Sequence, residues 1–150
     1  MTMPRATIQT HTGPVTLTET DGAITRVEWG GDFADDTALL RRAMVHLAEY
    51  FDGTRRAFDL PLYVEGSEFQ RAVCDAMLAI PWGQTRTYGE LAKALKAPAQ
   101  AIGQACGGNP IPIIIPCHRV LGACGLGGFS GAGGVETKVA LLRLECGLLI

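Results

Sequence analysis

Cys117, His118 and Arg119 stand in a row behind a proline, at the end of the segment Asn109-Pro110-Ile111-Pro112-Ile113-Ile114-Ile115-Pro116. An apolar chain punctuated by prolines has little conformational freedom to lose, so it can deliver the next side chain to a fixed point. A thiol beside an imidazole and a guanidinium should have its thiolate favoured, which describes an activated nucleophile. Consecutive residues cannot face one another on a strand. His118 must therefore serve Cys117 around a turn or through a water, with a carboxylate behind it to set the tautomer. Glu145, in Leu141-Leu142-Arg143-Leu144-Glu145, is the candidate for that carboxylate.

Other chemistries fit less well. The five cysteines, Cys74, Cys106, Cys117, Cys124 and Cys146, are an odd set with no C-x-x-C pair, so reduced thiols are expected rather than a disulfide framework. Cys106, Cys117, His118 and Cys124 lack zinc-ligand spacing, and no metal is expected. The glycine-rich stretch 122–134 is not followed by the Lys-Ser or Lys-Thr of a phosphate loop; it reads as a loop walling a pocket beside the nucleophile, with Phe129 and Ser130 at its tip. His11 and His46 are isolated and read as surface or packing residues.

The elements that must position this constellation fall into two textures. Residues 5–29 read as a meander, with strands at Ala6–Ile8, Val15–Leu17 and Ile24–Trp29 separated by Gly13-Pro14 and Asp21-Gly22. Asp35 or Asp36 can cap a helix carrying Leu40, Met44, Leu47 and Phe51 on one face, stopped by Asp52-Gly53. A strand from Phe58 to Val64 is expected to close the sheet. From Ser67 onward the pattern is helical. Ser67-Glu68-Phe69-Gln70 is a capping-box pattern opening a helix along Phe69, Val73, Met77 and Ile80, and Thr87-Tyr88-Gly89-Glu90 is a second, opening a helix through Leu91 and Leu95. Lys96-Ala97-Pro98 breaks the chain, with Pro98 at the first turn of a third helix that runs to Gly107-Gly108. The last two helices resemble a helix-turn-helix, and the second is built mostly of small residues with no Arg, Lys or Asn to read bases. Small residues suit either tight helix packing or close approach to a narrow groove, and composition alone favours packing.

Composition agrees with an ordinary soluble chain: 150 residues, 47% hydrophobic and 19% charged, which excludes disordered and collagen-like classes. No apolar run is long enough for a membrane span, and the N-terminal residues lack the apolar core of a secretory signal, so a cytoplasmic location is expected. Net charge is 13 − 15 = −2, but residues 1–70 hold 6 basic against 11 acidic side chains and residues 71–150 hold 7 against 4. The C-terminal half, at +3, is the one suited to phosphate. A division into an α/β subdomain at 1–65 and a helical domain at 66–150 is expected.

Ile115-Pro116-Cys117-His118-Arg119-Val120, preceded by Asn109-Pro110 and followed by Gly128-Phe129-Ser130-Gly131 and Leu141-Leu142-x-Leu144-Glu145, resembles the O6-alkylguanine-DNA alkyltransferase family, the methylated-DNA–cysteine S-methyltransferases. Tyr88-Gly89-Glu90-Leu91-Ala92 and Ile80-Pro81-x-Gly83 match as well. The likeness covers roughly residues 66–147; over 1–65 only size and element order resemble the family. Alkyltransferase-like lesion binders carry tryptophan in the place of Cys117.

The resemblance implies an α+β fold, a small antiparallel sheet with a helix followed by a helix-turn-helix, winged-helix-like domain. It implies single-turnover transfer of an alkyl group from O6 of guanine in DNA to Cys117, with O4 of thymine a further candidate, and no cofactor. His118 would activate Cys117 through a water, Glu145 would orient His118, and Asn109 would brace the segment. Tyr88 would contact the target phosphate and help protonate the departing guanine. Pro112, Val120, Phe129 and Ser130 would line the base pocket, and Arg119 would hold the site together. Ala99, Gln100, Ala101 and Gly103 would lie in the minor groove of alkylated DNA without reading sequence, the protein acting as a monomer with no membrane partner. Since a base attacked at O6 is unreachable inside a duplex, it must be flipped out. One residue departs from the family pattern: Gln100 stands where an arginine usually fills the vacated stack. Two rivals follow, a lesion binder and a thiol scavenger of free alkylated bases or alkylating metabolites, the second favoured by Gln100 and the −2 charge.

Overall fold

The computed structural model describes residues 3–122 and 134–146, and the chain divides into two compact units, Met1–Tyr63 and Val64–Ile150. In the first, β1 (Arg5–Thr10), β2 (Gly13–Thr20) and β3 (Ala23–Trp29) form an antiparallel sheet in the order β1-β2-β3. Ala6, Val15, Leu17, Ile24 and Val27 are buried, and α1 (Ala38–Phe51) packs on β1 and β2.

Three expectations for this unit are corrected. Thr37, not Asp35 or Asp36, caps α1, its hydroxyl accepting from Leu40 N at 3.0 Å. The aspartates are engaged elsewhere: Asp35 accepts from Arg5 N at 3.0 Å, and Asp36 pairs with Arg41 at 2.9 Å. The buried face of α1 is Leu40, Ala43, His46, Leu47 and Tyr50, while Met44 and Phe51 are half-buried. Tyr50 displaces Phe51 because its ring meets Phe58, with centroids 5.5 Å apart. Finally, 58–64 is not a strand. Among the described residues its only ladder contact is a parallel bridge between Leu62 and Ile24, and Pro61, without an N–H, cannot extend it.

His46 is buried in this unit, and among the described residues its Nδ1 has no hydrogen-bond partner. Burial, then the charges of Arg55 and Arg42, lower its pKa from 6.5, with Glu49 and Asp59 opposing. The unfolded chain therefore takes up the proton first as pH falls, so stability is whole above 6.5 and declines below it. Thermal unfolding at about pH 7.5 and 5.5 should show this loss, and His46→Leu should reduce it. The same loss in both proteins would assign the effect to another group.

The second unit comprises α2 (Glu68–Leu78), β4 (Arg86–Thr87), α3 (Tyr88–Leu95), α4 (Ala99–Gly107), a 3₁₀ turn at Cys117–Arg119, β5 (Val120–Leu121) and α5 (Val135–Cys146). Ser67 caps α2 through Gln70 N at 3.0 Å, but the reciprocal bond expected of a capping box gives way to another. The Gln70 amide donates to Ala105 O at 2.8 Å, tying α2 to α4. Phe69 is 37% exposed, and Cys74 joins Val73 and Met77 in the core instead. The box at the start of α3 is complete, Thr87 accepting from Glu90 N and Glu90 from Thr87 N, an arrangement worth about 1 kcal/mol. Lys96 ends α3 in the left-handed region, and Pro98 is the residue before α4 rather than its first turn. The sequence offered no signal for the parallel pair β4–β5, two residues each, which joins the start of α3 to the chain just past Arg119. No helix among the described residues is long and apolar enough to cross a membrane.

Candidate active site

The segment leading to Cys117 is held by its own backbone and by one side chain. Asn109 donates through Nδ2 to Ile115 O at 2.9 Å and accepts at Oδ1 from Ile111 N at 3.0 Å. Ile115 N closes a wider turn onto Ile111 O at 2.9 Å. Pro116 (φ −81, ψ 69) centres an inverse γ-turn in which Cys117 N donates to Ile115 O at 2.8 Å. Arg119 N then donates to Pro116 O at 3.0 Å, winding Cys117, His118 and Arg119 into a 3₁₀ turn. Every residue from Ile111 to Val120 is buried.

His118, Arg119 and Glu145 form one cluster, all buried. His118 Nε2 bonds Glu145 Oε2, so Nδ1 is the ring nitrogen that remains for Cys117 or a water. Arg119 donates Nε to Glu145 Oε1 at 2.7 Å and Nη2 to Oε2 at 3.1 Å, while Nη1 reaches Ile80 O, just past α2, at 2.5 Å. Burial alone would push the Glu145 carboxyl up, but the hydrogen bonds and charges of His118 and Arg119 prevail and hold it at about 2. Arg119 is permanently charged, so Glu145 stays ionised even when His118 is neutral. Burial is the largest influence on His118 and lowers its pKa from 6.5 despite Glu145, leaving a neutral imidazole able to accept a proton.

Cys117 departs from expectation. Burial raises its pKa above the ordinary 9.0, outweighing the hydrogen bond from Asn109 and the charge of Lys138. The guanidinium expected beside the thiol is spent on Glu145 and Ile80. Cys117 therefore rests as a neutral thiol, and its proton must be removed when it reacts.

Lys138 is the residue that sequence reasoning missed. It is fully buried on α5, with Nζ donating to Val120 O at 2.6 Å and lying 5.8 Å from the Tyr88 ring centroid. A signal existed: Lys138, Leu141, Leu142 and Glu145 recur at i, i+3, i+4 and i+7, the spacing of one helix face, and all four are buried.

On α4, Ile102, Ala105 and Cys106 face the core, whereas Ala99 and Gln100 are exposed and Ala101 and Gly103 half-buried. Among the described residues a Cβ built on Gly103 or Gly107 would meet nothing within 4 Å, so packing against them does not require glycine at either place. Composition had favoured packing as the reason for this helix's small residues; at these two positions that reason is absent.

Residues 68–147 match the family model of the 6-O-methylguanine DNA methyltransferase DNA-binding domain. A methylated-DNA–protein-cysteine methyltransferase of Methanosarcina acetivorans is 44% identical over 123 residues, spanning 80% of this chain and 78% of the relative. One from Mycobacterium bovis is 41% identical, spanning 93% and 90%. The chain belongs to this family. The crystal structure of the Mycobacterium tuberculosis O6-methylguanine methyltransferase superposes with a TM-score of 0.86 at 38% identity, covering 99% of this chain and 96% of that one. A structure of Mycobacterium tuberculosis OGT in complex with DNA gives 0.85 at 42% identity, covering 94% and 91%.

Within this methyltransferase the geometry joins Asn109, Cys117, His118, Arg119 and Glu145 into one buried site. Pro112 and Val120 are buried on the same segment, and Tyr88 opens α3 beside β5. Ala99, Gln100, Ala101 and Gly103 lie apart from that cluster, on α4. Phe129 and Ser130 fall outside the described residues, as does Cys124. Among the described residues no group of three or more His, Cys, Asp or Glu side chains could hold a metal ion.

Proposed function

We propose that this protein repairs O6-alkylated guanine in DNA by moving the alkyl group irreversibly to Cys117, one group per molecule. The observation that carries the proposal is a buried thiol on a locked turn, followed directly by an imidazole whose far nitrogen is bonded to an ionised carboxylate. A water relays the Cys117 proton to His118 Nδ1, with Glu145 steadying the imidazolium. Sulfur bonds to the alkyl carbon, the carbon–O6 bond breaks, and its electron pair stays on guanine. Tyr88 helps to protonate the departing base and contacts the target phosphate. Asn109 holds the turn, Arg119 fixes Glu145, and Pro112, Val120, Phe129 and Ser130 wall the base pocket. No cofactor enters this reaction, and the protein works as a monomer. The open space over Gly103 and Gly107 supports seating α4 in the minor groove, where backbone can come close to the duplex without reading sequence.

The test is the intact mass of the protein after incubation with duplex DNA holding O6-methylguanine. One methyl is expected, then no further change, with peptide mapping placing it on Cys117. Multiple additions, or none, would overturn the reading; the same assay with O4-methylthymine decides the second base.

Gln100 favours a second reading, scavenging of alkylated bases outside a duplex. Extruding a paired base costs a few kcal/mol, and a neutral amide near phosphates offsets less of it than arginine would. Transfer is expected to be faster from single-stranded or mismatched DNA than from paired duplex, and Gln100→Arg should narrow the gap. Equal substrate ratios for the two proteins would sink this prediction. Reaction with the free base alone would establish the scavenger.

A further inference from the structure

Between Asn109 and Cys117 the chain makes two three-residue turns of opposite hand. The second, around Pro116, is the low-energy kind. The first is not: Ile114 N donates to Pro112 O at 2.9 Å around Ile113, whose φ is +74. Positive φ is a steric outlier for a β-branched residue, and γ-turns of this hand are rare and strained. Glycine would adopt the turn freely, yet isoleucine occupies it and is 1% exposed. The clamps of Asn109 and the bond from Ile115 N to Ile111 O fall on Ile111 and Ile115, on either side of this turn, and none of them is made by Ile113.

We infer that Ile113 is a positioning residue for alkyl transfer: its buried side chain holds a strained γ-turn that fixes the angle between Pro112 and Cys117. The inference rests on the pocket role proposed for Pro112. A narrow backbone well at residue 113 keeps the base-pocket wall and the sulfur in one relation. A residue free to reverse φ lets that relation spread, and a misplacement of about 1 Å can cost up to 10²-fold in rate.

Ile113→Ala and Ile113→Gly remove nearly the same packing and differ in the turn, because alanine keeps the strain and glycine relieves it. Ile113→Gly is expected to melt about 4 °C above Ile113→Ala, after allowing for glycine's more flexible unfolded chain. It should nevertheless accept methyl from O6-methylguanine DNA on the order of tenfold more slowly. A side chain that only fills the core gives no such crossing, and a glycine variant as fast as the alanine one overturns the inference. Iodoacetamide, which needs no base pocket, should label Cys117 equally in both, as read by peptide mass. A matching tenfold difference there would move the defect to the thiol and also overturn the inference. Both variants are compared in trimethylamine N-oxide, which favours the folded state. If the parent protein takes no methyl from DNA, the repair reading fails, whereas the order of melting still tests the strain.

Discussion

Cys117→Ser is expected to fold, to bind DNA and to accept no alkyl group. Serine is close to cysteine in size, so the turn of Asn109, Ile115 and Pro116 keeps its backbone bonds. What changes is the nucleophile. Even with burial pushing it up, a thiol gives up its proton far more readily than a hydroxyl, and its polarisable sulfur attacks saturated carbon well; an alkoxide is far less accessible. Loss on the order of 10³-fold or more is expected, as when an activated nucleophile is removed from other sites. Intact mass tests transfer, and fluorescence anisotropy with a labelled oligonucleotide tests binding. Methylation of the serine variant at a rate near that of the natural protein would remove Cys117 from the mechanism.

The second large effect lies in the charged cluster, where two substitutions should differ in kind. His118→Ala removes the proton acceptor and is expected to slow transfer by about 10²-fold or more with a modest change in stability. Glu145→Gln slows transfer too, but it also leaves the Arg119 guanidinium buried without its counter-ion, at a cost of about 3–5 kcal/mol. The rate losses should not multiply in the double variant, because one relay is broken in either case. Independent losses would mean separate roles. The pH dependence follows from the shifts: with the His118 pKa lowered, the acid limb of the rate lies below 6.5, where an ordinary imidazole would already be protonated. The stability contributed by Glu145 is complete above about 4.5 and is lost as pH falls toward about 2.

The sequence was most legible where a residue type has one physical use. Pro116 and Cys117 announced a thiol held on a rigid turn, and Thr87 with Glu90 announced a helix start that the structure reproduces bond for bond. It was least legible where a side chain has several possible partners. Asp35 and Asp36 are good caps on paper, but Arg5 N and Arg41 claim them. Gln70 could have closed a capping box and reaches across to α4 instead. Arg119, two residues past Cys117 in sequence, was expected to favour its thiolate; the 3₁₀ turn sends the guanidinium to Glu145, and burial sets the state of the thiol. Lys138 was hidden because a lysine is normally solvated, and only its place in an apolar stripe shared with Glu145 betrays it. Two-residue strands such as β4 and β5 are too short for any periodicity to register.

The burial that raises the Cys117 pKa bears on how long a molecule of this protein stays usable. Above 9, fewer than about one thiol in a hundred is ionised at neutral pH. Peroxide, aldehydes and stray alkylating agents consume thiolates, so an acceptor held as the thiol ages slowly while it waits. If each molecule can react only once, every adventitious adduct is a repair forgone. A resting thiol, ionised only when the relay proposed above engages, would keep the working stock intact between lesions.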